Sequence, residues 1–242
     1  MLEACVLSSL LHNSETFGNI YPTKIEKLYM KLIKSALNVR TSTPNEIILI
    51  ETGLRPLKAT IYGRQLNFFR RFKQSLQVGG VRHQMLEEML SNPSDYIKHY
   101  VELERKYNSS DQIHNEFTEA MKTSVRNKAE RGRYKFAMYL KLNPSLERSP
   151  CLRPQSDPIT KDIIRFRLGS HFLPIETGRW CRKPREERVC RTCGTVGDEE
   201  HYVYTCPLVE RGDNNWRENF ELDWLDPSVM RLFRRLKEEE LL

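Results

Sequence analysis

The stretch from Cys190 to Cys206 reads CRTCGTVGDEEHYVYTC. Cys190 and Cys193 are separated by two residues, the shortest span that lets two thiolates bind one ion, and His201 and Cys206 follow in a C-x2-C-x7-H-x4-C pattern. Three thiolates and one imidazole complete a tetrahedron. The spacing therefore predicts a closed, structural Zn2+ site with Cys190, Cys193, His201 and Cys206 as ligands, lacking the open position that hydrolysis needs. Lys183, Arg188 and Arg191 lie near enough in sequence to offset the excess negative charge of three thiolates. Gly194 and Gly197 suit the tight turns such a loop requires. Adjacent Glu199 and Glu200 read as solvated loop charge, not as acid-base machinery.

Outward from this stretch the chain turns basic. Between Pro174 and Val189, Arg179, Arg182, Lys183, Arg185 and Arg188 surround Trp180, and an aromatic ring inside a basic cluster is the composition of single-strand or backbone binding. Asp157-Pro158 opens a helix whose apolar Ile159, Ile163, Ile164, Phe166 and Leu168 alternate with Lys161, Arg165 and Arg167. His171 falls at its end, where a helix-terminal role is expected. Beyond Cys206, Trp216 and Phe220 are expected core anchors, and Asp226-Pro227 starts a final helix. Residues 159–242 thus read as one module: a basic helix, the Cys/His stretch and a C-terminal helix.

Pro144, Pro150, Pro154 and Pro158 mark residues 144–158 as a Pro-rich linker. Residues 77–143 read as a helical connector that ends in a basic strip, Lys122, Arg126, Lys128, Arg131, Arg133 and Lys135. Residues 1–76 read as a bundle of amphipathic helices. One opens at Thr23 with Glu26 as a capping box and buries Ile25, Leu28, Tyr29, Leu32 and Ile33; a short one follows Thr43-Pro44 and stops at Gly53; a third runs from about Pro56 to Leu76 with Arg64, Arg70, Arg71 and Lys73 projecting outward. Residues 2–12 are apolar on most sides and, as a helix, need a partner surface. The fold class is mainly α.

Composition bounds the function. With 39 Lys+Arg against 32 Asp+Glu the chain carries a formal +7, a balance suited to a polyanion partner. Cys5, Cys151 and Cys181 stand singly, as reduced thiols do in a nuclear or cytoplasmic protein, and no secretory signal or membrane span is expected. No P-loop, dinucleotide fingerprint or nucleophile elbow occurs.

Two sets of motifs resemble a known family. The first is VLSSLLHNSE at 6–15, IEKLYMK at 25–31, TPN at 43–45 and ETG at 51–53; the second is RLGSH at 167–171, ETGR at 176–179 and ERVC at 187–190, running into GDEEH at 197–201 and TCP at 205–207. Together they are similar to the C-terminal region, thumb plus CCHC zinc knuckle, of reverse transcriptases from non-LTR (LINE-like) retrotransposons. The resemblance implies a thumb-like N-terminal part, a zinc knuckle held by Cys190, Cys193, His201 and Cys206, and RNA or DNA together with the remainder of a retroelement polymerase as partners. The chain departs from the family in carrying no Tyr-x-Asp-Asp-like run, so the palm aspartates that hold catalytic metals are missing and no enzymatic activity is expected.

The expected function is a non-catalytic grip on nucleic-acid backbone through Lys128, Arg131, Arg133, Arg165, Arg167, Arg179, Trp180, Arg182, Lys183, Arg185 and Arg188. The alternative is a zinc-stabilised protein-protein interaction module that docks through the knuckle and the apolar N-terminal helix. A third reading, an active polymerase subunit, requires a separate palm chain.

Overall fold

A computed structural model of the chain describes residues 7–152, 158–208 and 227–242. Among these the chain is mainly helical: α1 Ser8–Leu10, α2 Thr23–Ala36, α3 Asn45–Thr52, α4 Leu57–Gln74, α5 Val81–Ser91, α6 Asp95–Lys106, α7 Ser110–Glu130, α8 Tyr134–Leu142, α9 Ile159–Arg167, α10 Pro174–Trp180, α11 Glu199–Tyr204 and α12 Pro227–Glu238. The expected anchors Trp216 and Phe220, the caps Asp157 and Asp226, and residues 1–6 of the apolar N-terminal stretch lie outside the described residues.

Local start and stop chemistry sets several helix ends. Ser94 opens α6 by accepting from the Ile97 N–H at 3.5 Å. Ser109 opens α7 by accepting from the Gln112 N–H at 3.2 Å, while the Gln112 side chain reaches back to the Asn108 N–H at 2.7 Å. Gly53, at φ +66°, ends α3 in the left-handed region and returns its N–H to Ile50 O. At α2 the Pro22 carbonyl closes the first turn, so Thr23 lies inside the helix and does not cap it.

The chain forms two compact units, residues 7–31 with 55–121, and residues 32–54 with the described part of 122–242. In the first unit, Ala59 and Leu66 of α4 meet Leu103 of α6, Tyr107 and Ile113 of α7, with Tyr62 and Phe117 against them. The buried Gln65 amide donates to Gly18 O at 2.9 Å and accepts from His99 Nε2 at 2.9 Å, so both ends of a costly buried amide are satisfied. Arg64 and Arg70, expected to point outward, instead satisfy carbonyls: Arg64 reaches Leu11 O at 2.7 Å, and Arg70 reaches Asn108 O at 2.7 Å and Tyr107 O at 2.8 Å. Leu7 and Leu11 are buried in this unit.

The second unit is organised around an ion pair. Glu51 at the end of α3 is fully buried and receives Arg167 in a two-bonded clamp, Nε at 2.6 Å and Nη2 at 3.0 Å. The Tyr139 hydroxyl donates to the same carboxylate at 3.0 Å, and Arg167 Nη1 donates to Leu142 O at 2.9 Å. This clamp draws residues 32–54 away from the expected 1–76 bundle. In the described part of the expected 144–158 linker, Leu146 and Cys151 are buried and the Ser149 N–H donates to Glu51 O at 2.9 Å. Helix α12 closes this core, with Phe233 edge-on to Phe166 of α9 at 5.0 Å and Lys237 paired with Asp162 at 2.6 Å.

Candidate metal centre

Val189 and Val196 form an isolated antiparallel bridge, and the chain between them closes on itself: the Cys190 N–H donates to Thr195 O at 2.7 Å and the Gly194 N–H to Cys190 O at 2.9 Å. Gly194 sits at φ +74° with open space where a Cβ would be, so its requirement is backbone conformation alone. Asp198 then starts α11, accepting from the His201 N–H at 2.9 Å through Oδ1 while Oδ2 holds Arg185 at 2.6 Å. The helix is one and a half turns long. It carries His201 in its first turn and ends so that the Cys206 N–H bonds His201 O at 2.8 Å, which turns Cys206 back toward the hairpin.

The result is one group in which the ligand atoms of Cys190, Cys193, His201 and Cys206 all lie within 4.8 Å of one another. Cys190 Sγ is 3.7 Å from Cys206 Sγ, and Cys193 Sγ is 3.3 Å from His201 Nε2. Bonds of about 2.3 Å to sulfur and about 2.05 Å to nitrogen give tetrahedral edges of roughly 3.8 and 3.5 Å, close to both separations. The sulfurs stand much farther apart than the roughly 2.05 Å of a disulfide. His201 Nδ1 lies 3.0 Å from the hydroxyls of both Thr195 and Thr205, which fixes the ring with Nε2 toward Cys193. The four residues can hold a metal ion.

Electrostatics at the centre ask for a cation. Burial works against a thiolate at Cys190, but hydrogen bonds from the Tyr202 hydroxyl and the Thr192 N–H win and lower its pKa. Burial and the neighbouring Cys190 thiolate raise Cys206 in turn. Cys190 and Cys206 are thus shifted in opposite directions, and a bound cation would favour the thiolate at both.

The surroundings hold this hairpin firmly. A Cβ on Gly178 would fall 2.4 Å from Arg188 Cγ, and one on Gly197 would fall 2.8 Å from Pro174 Cγ, so both glycines permit close contact between α10 and the hairpin. Arg188 uses that space to donate to Lys183 O at 2.9 and 2.6 Å and to Ile175 O at 3.3 Å. It is a strut, not the counter-charge expected from its place in sequence. Glu199 is likewise buried, not solvated: its carboxylate takes the Tyr134 hydroxyl at 2.6 Å and His171 Nε2 at 2.9 Å. Burial opposes the charge on Glu199, but His171 and Tyr134 outweigh it and hold its pKa below the ordinary carboxylate range. Sequence spacing carries no sign of this trio, because its members are brought together only by packing.

The basic residues divide into two groups. Arg167 is buried on Glu51 and so is not open to a polyanion, while Arg188 is half-buried with its guanidinium on the carbonyls of Lys183 and Ile175. Arg165 is largely covered and pairs with Asp162 at 3.2 Å, Arg185 pairs with Asp198 at 2.6 Å, and Lys128 pairs with Glu46 while lying over the Phe136 ring. Arg179 pairs with Glu176 at 2.6 Å yet stays open to solvent. Arg131, Arg133, Arg182 and Lys183 are exposed with no carboxylate partner among the described residues, as are Arg126 and Arg191. Trp180 is 50% exposed, with the Arg40 guanidinium 4.0 Å over its ring.

Compared with known proteins, the chain matches no family model, no curated protein and no solved structure. No helix among the described residues is long and apolar enough to cross a membrane.

Proposed function

We propose that this chain is a non-catalytic nucleic-acid-binding segment, stabilised by Zn2+ in the manner of a CCHC zinc knuckle and related to the C-terminal region of non-LTR retrotransposon reverse transcriptases. The observation that carries the proposal is the set of exposed, unpaired cations of the second unit, Arg126, Arg131, Arg133, Arg182, Lys183 and Arg191, together with the half-exposed Trp180. Cations without carboxylates are free to replace the counterions of a phosphate backbone, and an open indole offers a sequence-tolerant stacking surface. Within the described part of the N-terminal stretch Leu7 and Leu11 are buried, which lends the protein-docking alternative less support.

Zn2+ suits the Cys3His set because soft thiolates and an imidazole in a closed tetrahedron favour it over harder cations. Thr205 is expected to tune it. Thr205→Val removes a hydrogen-bond partner of His201 Nδ1 and should weaken zinc roughly 10- to 100-fold in a competition titration against a chromophoric chelator. An unchanged affinity would mean that Thr195 alone orients the ring.

The binding proposal predicts a steep salt dependence. If about six cations each neutralise a phosphate, raising monovalent salt from about 50 to 200 mM should weaken the affinity for a labelled single-stranded RNA or DNA by about three-hundred-fold. Fluorescence anisotropy of the zinc-loaded chain at a series of salt concentrations reads the slope directly. An affinity independent of salt, or no binding at low salt, would overturn the proposed function.

A further inference from the structure

In the second unit, Ser42, Arg133, Lys135, Glu176, Arg179 and Trp180 line a concave cleft of about 440 Å³, in the size range of small-ligand sites. Its charge is unbalanced. Arg40 at 3.5 Å, Lys135 at 3.2 Å and Arg179 at 2.6 Å all converge on the one carboxylate of Glu176, which is itself buried. Three cations on one carboxylate leave two positive charges over, and Arg133 on the same wall has no partner among the described residues. Arg40 and Lys135 are only 22% and 13% exposed, so water compensates them poorly. Burial lowers the pKa of both despite their shared contact with Glu176.

Resting on the nucleic-acid reading above, we infer that this cleft takes a phosphorylated nucleotide end, its phosphate monoester held by Lys135, Arg179 and Arg133 and its base laid against Trp180. The charge decides between an end and the middle of a strand. An internal phosphodiester carries a single negative charge, whereas a phosphate monoester carries about −1.5 to −2 near neutral pH and so offsets more of a surplus that Arg133 raises to three. The cleft is also larger than a phosphate needs. Trp180, half exposed, supplies a flat apolar surface that a base would use, while the guanidinium of Arg40 covers one face of its ring at 4.0 Å. No covalent step is involved, only recognition.

The test uses the zinc-loaded full chain and one single-stranded oligonucleotide in three forms, with a 5′-phosphate, a 3′-phosphate or hydroxyls at both ends. One phosphorylated form should bind at least about ten-fold tighter than the hydroxyl form, and adenosine 5′-monophosphate should compete for that increment better than adenosine or inorganic phosphate. Lys135→Met should erase most of the increment while leaving binding of the hydroxyl form in place, whereas Arg133→Gln and Trp180→Leu should weaken both. Equal affinity for all three forms, with steep salt dependence retained, overturns the end-binding cleft and leaves the backbone-binding proposal standing. Competition by inorganic phosphate as strong as by the nucleotide overturns the assignment of a base to Trp180. Failure to bind any form overturns both readings. The wild-type comparisons alone decide the matter should a variant misfold.

Discussion

With zinc in the Cys3His group as proposed, chelating the metal or replacing Cys193 with Ser should unfold the hairpin and α11 while the helices of the first unit keep their structure. The segment from Arg185 to Leu208 holds little of its own core, chiefly Tyr202 and Val203 beside the ligands, and a fully buried side chain of that kind contributes about 1.5–3 kcal/mol. Ordering its backbone costs about 1–2 kcal/mol per residue, so side-chain burial alone falls far short. Structural zinc in finger peptides supplies about 10–16 kcal/mol near neutral pH, as much as the whole stability of an ordinary domain. Cys193 is the exposed ligand, so its substitution removes a metal bond with little loss of packing. Hydrogen exchange read before and after chelation, with elemental analysis of the purified protein, checks the result. Protection of the Cys190, Gly194 and Cys206 amides that survives chelation, in a protein that purifies without zinc, would sink the metal assignment.

The second large effect concerns Glu51. Glu51→Ala should destabilise the second unit by about 3–5 kcal/mol, because it leaves the Arg167 guanidinium buried without its counter-charge. The Tyr139 hydroxyl loses an acceptor in the same stroke. Arg167→Met should cost a similar amount by stranding the carboxylate. The double variant Glu51→Leu with Arg167→Met should recover most of the loss, since an apolar pair of similar volume can replace a buried ion pair at little net cost. Urea unfolding followed by circular dichroism measures all three. Single variants costing below about 1 kcal/mol would show that the pair is not isolated from water as its burial implies.

Both predictions join residues that differ greatly in how visible they are along the chain. The metal group is legible because its parts are local: a two-residue gap, a turn glycine and a one-and-a-half-turn helix capped by Asp198 suffice to gather four ligands within 17 positions. Helix ends are legible for the same reason, as at Ser94, Ser109 with Gln112, and Gly53, where a side chain or a glycine acts on backbone within a turn of itself. Arg167 shows the limit. It stands in a run of alternating cations indistinguishable from a solvated face, yet its partner lies 116 residues away. Glu199 misleads in the same way, an acid beside a loop that is in fact sealed between His171 and Tyr134.

What the sequence determined by itself was the helical class, the positions of some helix ends and the composition of the Cys3His group, since each depends on interactions that close within a few residues. Tertiary structure alone decided which charges are free. Whether an arginine meets solvent, a carbonyl or a buried carboxylate depends on segments remote along the chain, and only packing brings Arg133 of one stretch to the same cleft as Arg179 and Trp180 of another. Coulomb and desolvation energies act through space, whereas sequence spacing reports distance only along the backbone.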